Sequence, residues 1–190
     1  MEFPIEQFFT DLNKYPFEPR SDNPLDWLGE KNQIIEEMRR RVVKEYGGGK
    51  NLEDALMDSD FFTSGYYRGP SLPQYFIIRY SDVGEIIAHP FGVVRLSTVG
   101  DGTTIHPFAN ISNSIIGQRA IIHPHANIEN LIIDSDVLVR SFAEVKGSII
   151  MRGAKISTGS NVLDAVVGSE TRIAANVTLR NRLHTQKKFI

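Results

Sequence analysis

The chain contains no cysteine among its 190 residues, so disulfides, thiolate metal sites and cysteine nucleophiles are excluded. No run approaches the roughly 18 consecutive apolar residues of a membrane span. Met1 to Phe9 is acidic and lacks the basic stretch and apolar core of a secretory leader. No membrane contact is expected, and a cytoplasmic location is the default. A large charge of either sign is also missing: the formal net charge is −2. That argues against a nucleic-acid platform and leaves a phosphorylated small molecule as a charged partner that fits. The balance is uneven along the chain. Residues 1–93 carry 10 Lys/Arg against 16 Asp/Glu, and residues 94–190 carry 11 against 7. A phosphate-binding loop is absent too, because Gly47-Gly48-Gly49-Lys50 follows a helical pattern rather than an apolar strand and reads as a helix stop.

What the chain does have is a repeat of 17 residues. One column runs Val94, Ile111, Ile128, Val145, Val162, Leu179; a second Val99, Ile116, Ile133, Ile150, Val167; a third Ile105, Ile122, Val139, Ile156, Ile173. Fifteen of these 16 positions are Val or Ile, which together supply only 34 of the 190 residues, so the pattern is not accidental. The columns lie 5, 6 and 6 residues apart, so each coil consists of three short strands with one β-branched side chain apiece turned inward. Coils of this kind stack as parallel strands. Small residues recur where a triangular interior narrows: Thr103, Ala120, Val137, Ala154, Thr171 and Ala109, Ala126, Ala143, Ser160, Val177. Asn113, Asn130, Gly147, Asp164 and Asn181 mark one corner with residue types that tolerate left-handed backbone.

The fold class expected is therefore mainly β: a parallel β-helix of about five 17-residue coils over residues 76–182. A helical N-terminal segment, 1–75, packs on or caps it, and a basic tail follows at 183–190. Within the first segment a helix is expected over 24–46, started by Asp22-Asn23-Pro24, with shorter helices near Pro4–Leu12 and Leu52–Met57. Tyr75–Tyr80 reads as a strand, and Ile77 lies 17 before Val94, so an irregular coil can precede the regular ones. The helical half is expected across the N-terminal end of the prism, where it blocks end-to-end growth. Ile115, Ile132, Ile149 and Val166 form an outward apolar ladder, expected to be partly exposed and to serve subunit contact in preference to packing against another segment.

The coil segments Ile111-Ser-Asn-Ser-Ile-Ile116, Ile128-Glu-Asn-Leu-Ile-Ile133 and Val145-Lys-Gly-Ser-Ile-Ile150 each precede two hexapeptides. This rhythm, over residues 88–182, resembles the C-terminal left-handed β-helix domain of sugar-1-phosphate nucleotidyltransferases, including bifunctional enzymes that acetylate a sugar phosphate. The resemblance implies the left hand and a homotrimer. The family's N-terminal nucleotide-binding signature is missing, so nucleotidyl transfer by this chain alone is not expected. A separate catalytic nucleotidyltransferase subunit is one partner the resemblance implies. The leading expectation is thus an oligomerisation, binding or regulatory scaffold of the sugar-nucleotide type.

Two alternatives rest on side chains. Hexapeptide acyltransferases, which the repeat also resembles, use a histidine general base and acetyl-CoA; here His106, His123 and His125 are the candidate catalytic residues. Arg152, Lys155 and Arg172 cluster on neighbouring coils and are candidates to hold a CoA or sugar phosphate. Alternatively, His89, His106 and His123, spaced by 17 and so about 5 Å apart, are candidate zinc ligands, as histidines are on the β-helices of γ-class carbonic anhydrases, whose motif spacing differs. Against both stands a structural ladder, in which proline fixes the corner and Phe91, Phe108 and Phe142 stack beside the histidines.

Overall fold

The computed structural model describes residues 25–46, 77–79, 87–88, 91–100 and 102–185. The helices expected near Pro4–Leu12 and Leu52–Met57, the Gly47–Lys50 stop and His89 lie outside them. The described chain is a parallel β-solenoid with one helix, α1 (Trp27–Tyr46).

Three parallel sheets form the prism. The first holds β1 (Ile77–Arg79), β4 (Ser97–Val99), β7 (Ile115–Ile116), β10 (Ile132–Ile133), β13 (Ile149–Ile150), β16 (Val166–Val167) and β19 (Leu183–His184). The second holds β2 (Ile87–Ala88), β5 (Thr104–Ile105), β8 (Ile121–Ile122), β11 (Leu138–Val139), β14 (Lys155–Ile156) and β17 (Arg172–Ile173). The third holds β3 (Val93–Arg95), β6 (Asn110–Ser112), β9 (Asn127–Glu129), β12 (Glu144–Lys146), β15 (Asn161–Leu163) and β18 (Thr178–Arg180). From β2 onward every register step is 17 residues, as in Val145 opposite Ile128 and Val162. The exception is β1: Ile77 pairs with Ser97, 20 residues on, rather than lying in register with Val94. An irregular first coil therefore exists, but it is three residues longer than the sequence spacing suggests and joins a different sheet.

The three inward columns form one continuous core. All 16 of their side chains are at most 5% exposed. The first small-residue column is buried throughout; in the second, Val177 emerges to 42% in the last full coil, where no further coil overlies it among the described residues. A column not anticipated, Ser97, Ser114, Leu131, Ser148 and Ala165, is also buried. Its serine hydroxyls tie coil to coil. Ser114 Oγ donates to the Ser112 carbonyl at 2.6 Å and accepts from the Leu131 amide at 3.3 Å, while Ser97 Oγ and Ser148 Oγ accept from the Ser114 and Ala165 amides, each at 3.1 Å. Each hydroxyl thereby satisfies a backbone group that burial would otherwise leave costly.

Backbone amides reverse direction at the corners. A strand N–H donates to the following coil, as Ile115 does to the Leu131 carbonyl at 3.0 Å; a corner N–H donates to the preceding coil, as Asn113 does to Arg95 at 2.9 Å. The left-handed conformation provides that reversal. It recurs at all three corners: Leu96, Asn113, Asn130, Gly147, Asp164, Asn181; Gly102, Arg119, Asp136, Gly153, Glu170; and Phe91, Phe108, His125, Phe142, Gly159, Asn176 all have φ between 47° and 71°.

The outward ladder Ile115, Ile132, Ile149 and Val166 is fully buried, which corrects the expectation of exposure. The cause is α1, which turns Trp27, Lys31, Ile34 and Ile35 inward at helical spacing and contacts β1 and β4 of the same sheet. Lys31 lies within electrostatic reach of Asp164, four coils from Leu96 beside β4. Four coils span about 19 Å, and the helix from Lys31 to its end spans about 22 Å. The helix therefore runs lengthwise along the sheet, and the ladder is filled from within the chain.

Lys31 is 4% exposed, and burial pushes its ammonium below the usual lysine range against the opposing pull of Asp164. Because its folded-state value is lowered, the unfolded chain binds its proton more tightly, and stability rises as pH climbs from the lowered value towards 10.5. Replacing Lys31 with methionine removes the buried charge and leaves Asp164 in contact with water. K31M is expected to raise the unfolding free energy at neutral pH by roughly 1 kcal/mol and to flatten that alkaline rise. Urea unfolding at pH 7 and at pH 9 to 10 checks both.

Candidate functional site

The edge between the second and third sheets carries the candidate side chains, because the corner after each strand of the second sheet is a three-residue turn that projects them. Successive corners read His106-Pro107-Phe108, His123-Pro124-His125, Arg140-Ser141-Phe142, Ser157-Thr158-Gly159 and Ala174-Ala175-Asn176. Two ladders result. His106 and His123, both half-buried, stack with centroids 5.0 Å apart and planes 20° from parallel. Beside them Phe91, Phe108, His125 and Phe142 form a second stack with centroid spacings of 5.3, 5.0 and 4.9 Å and planes within 7°. The sequence candidates thus divide: His106 and His123 share one ladder, whereas His125 takes the place of a phenylalanine in the exposed one. The left-handed backbone of the aromatic positions costs about 1 kcal/mol each, and stacking of the rings offsets a comparable amount.

As for the metal candidates, His89 lies outside the described residues, and no cluster of three or more His, Cys, Asp or Glu with metal-holding geometry is found among those described. The stacked pair His106 and His123 alone offers two nitrogen donors.

The three expected cations also divide. Arg152 donates to Asp136 Oδ2 at 3.1 Å. Asp136 simultaneously accepts from Arg119 Nε at 2.7 Å and Nη2 at 2.9 Å, and this hydrogen bonding, led by Arg119, holds its carboxyl below the usual carboxylate range. Arg152 is thus engaged at a different corner. Lys155 and Arg172 are register partners on the second sheet and exposed. Of these two, Arg172 enters a groove of about 340 Å³ lined with Arg140, Ser157, Thr158, Ala174 and Ala175. Arg140 continues the histidine column, and the groove begins where that column shrinks from imidazole and guanidinium to Ser157 and Ala174. Two arginines, Ser157 and Thr158 supply its polar lining, and no carboxylate lines it. Arg140 is not among the sequence candidates; the spacing of 17 sets it in the column of His106 and His123, two coils before Ala174 of the same groove.

No family model and no curated protein matches the chain. Among solved structures, the chain is similar to a Bacillus cereus protein provisionally assigned as an acetyltransferase, with 16% identity over 63% of this chain and 72% of that one and a TM-score of 0.33. A likeness of that size assigns no activity. No described helix is long and apolar enough to cross a membrane.

Proposed function

We propose that this chain is a β-solenoid binding scaffold of the sugar-nucleotide type, assembled as a homo-oligomer, that holds a phosphorylated small molecule along its histidine and arginine edge. The observation that carries it is the groove flanked by Arg140 and Arg172 with no acidic lining. Arginine matches phosphate bidentately, and the neighbouring hydroxyls supply further donors. The left-handed trimer implied by the sequence resemblance needs a face other than the sheet beneath α1. Exposed Phe91 and Phe108, at 66% and 52%, support the first coils of the edge between the second and third sheets as that face, away from the groove.

A second reading is favoured by the half-buried stack of His106 and His123, one coil from Arg140. An imidazole so placed can take the proton of an acceptor hydroxyl while the arginines hold a phosphate, the arrangement an acetyl-CoA-dependent transferase acting on a sugar phosphate requires. A nucleotidyltransferase partner subunit belongs to the scaffold reading.

Thermal unfolding with millimolar nucleotide sugars, acetyl-CoA or zinc separates these. A ligand at a hundredfold excess over its dissociation constant stabilises by about 2.7 kcal/mol. The scaffold reading expects a rise with a nucleotide sugar or sugar phosphate, and the transferase reading requires one with acetyl-CoA. No rise with any phosphorylated compound overturns both, and a rise with zinc alone revives the metal alternative.

A further inference from the structure

The exposed aromatic ladder ends two residues along the chain from Arg140 of the groove. Phe142 is its last ring, stacked on His125 on one side with a centroid spacing of 4.9 Å. On its other side the column continues as Gly159, which has no side chain, and then Asn176. Gly159 has φ +66°, and a Cβ there would run into Asn176 Oδ1, so the Asn176 carboxamide leans over the glycine from the following coil. Phe142 itself is 63% exposed. The corner thus steps from a six-membered ring to a glycine over which that carboxamide leans, a ledge with a ring face for one wall and a carboxamide for the other. The ledge adjoins the phosphate groove directly: Gly159 follows Thr158, Asn176 follows Ala175, and Phe142 lies two residues beyond Arg140.

The inner rings of the ladder cannot serve as platforms. Phe108 and His125 are each covered on both faces by their neighbours at about 5 Å, so they show only their edges. Of the described rings only Phe142 ends the stack on the groove side, and there the two arginines stand. We infer that this ledge takes the base of a nucleotide: the heterocycle stacks on Phe142 with the Asn176 carboxamide on its far side, and its phosphates lie between Arg140 and Arg172. Aromatic stacking is tolerant of base identity, so the ledge selects a phosphorylated heterocycle over a bare phosphate rather than one base over another. The inference rests on the groove binding phosphate, as proposed above, and adds the class of group attached to it.

Titration calorimetry of the full chain with ADP and with inorganic pyrophosphate tests it. ADP is expected to bind about tenfold more tightly than pyrophosphate, the order of one base stacked on an aromatic ring. F142N removes the ring and keeps a residue suited to positive φ; it is expected to abolish the ADP advantage while leaving pyrophosphate affinity unchanged. F142H, which copies His125, is expected to restore most of it, and an unaltered melting temperature shows that neither variant disturbs the coil. Equal affinities for ADP and pyrophosphate in the parent, or an ADP advantage that survives F142N, overturn the ledge while the groove stands. Binding of neither compound overturns both.

Discussion

Replacing Ile128 with alanine is expected to lower the unfolding free energy by about 4 kcal/mol. Ile128 is fully buried in β9, mid-length in the prism, with Ile111 and Val145 directly opposite it on the coils before and after. Across the narrow interior stand the other two columns, and the adjacent small position is already Ala126. The cavity left by three missing carbons cannot close, because ladder hydrogen bonds fix the neighbouring coils at a set spacing and every inward side chain already meets its own column. The matching control is Ile121→Ala on the outer face of β8. Ile121 is 40% exposed, so the same atoms removed there should cost under about 1 kcal/mol. Urea unfolding of the two variants measures the difference directly. Similar losses at both positions would mean that the columns are not the core.

The same columns explain why the architecture was legible. A solenoid repeats its environment every coil, so each buried position is sampled five or six times, and β-branched residues at 94, 111, 128, 145 and 162 betray the inward direction of every strand. The corners were only partly legible. Asn113, Asn130 and Gly147 announce a left-handed turn by their chemistry, but Phe108, Arg119 and Phe142 adopt the same conformation and announce nothing. Phe142 is held there by its reversed amide, which reaches the Pro124 carbonyl of the preceding coil at 3.3 Å, a tertiary constraint that outweighs local preference. The position of α1 was illegible for a related reason. Its apolar spacing shows one buried face, and the ladder of Ile115, Ile132 and Ile149 shows another, but nothing in either pattern says that the two meet. The candidate site divided similarly. The spacing of 17 brought His106 to His123 correctly, yet it did not show that Arg152 is held by Asp136 and that Arg140, in its place, lines the groove with Arg172.

Removing both groove arginines, Arg140→Ala with Arg172→Ala, is expected to weaken pyrophosphate binding about a hundredfold while leaving thermal stability unchanged. Each charge-assisted contact contributes on the order of 1.5 to 3 kcal/mol, so each single variant should lose roughly tenfold or more. The two residues stand on coils two apart, about 10 Å along the axis, and act on different oxygens of the ligand, so their losses should add. Neither packs in the core: both are exposed, and neither has an ion-pair partner among the described residues. Lysine at either position keeps the charge but loses the planar fork, so it should recover only part of the affinity. Raising the salt from 0.05 to 0.5 M should weaken the parent markedly and the double variant little, since screening acts on charges that the variant no longer has. Lys155→Ala separates the groove from a general positive field, because Lys155 is exposed on the same sheet as Arg172 and does not line the groove. A loss in that variant equal to the loss at Arg172 would assign binding to the face as a whole. Affinity retained by the double variant would remove the groove from the molecule's function altogether.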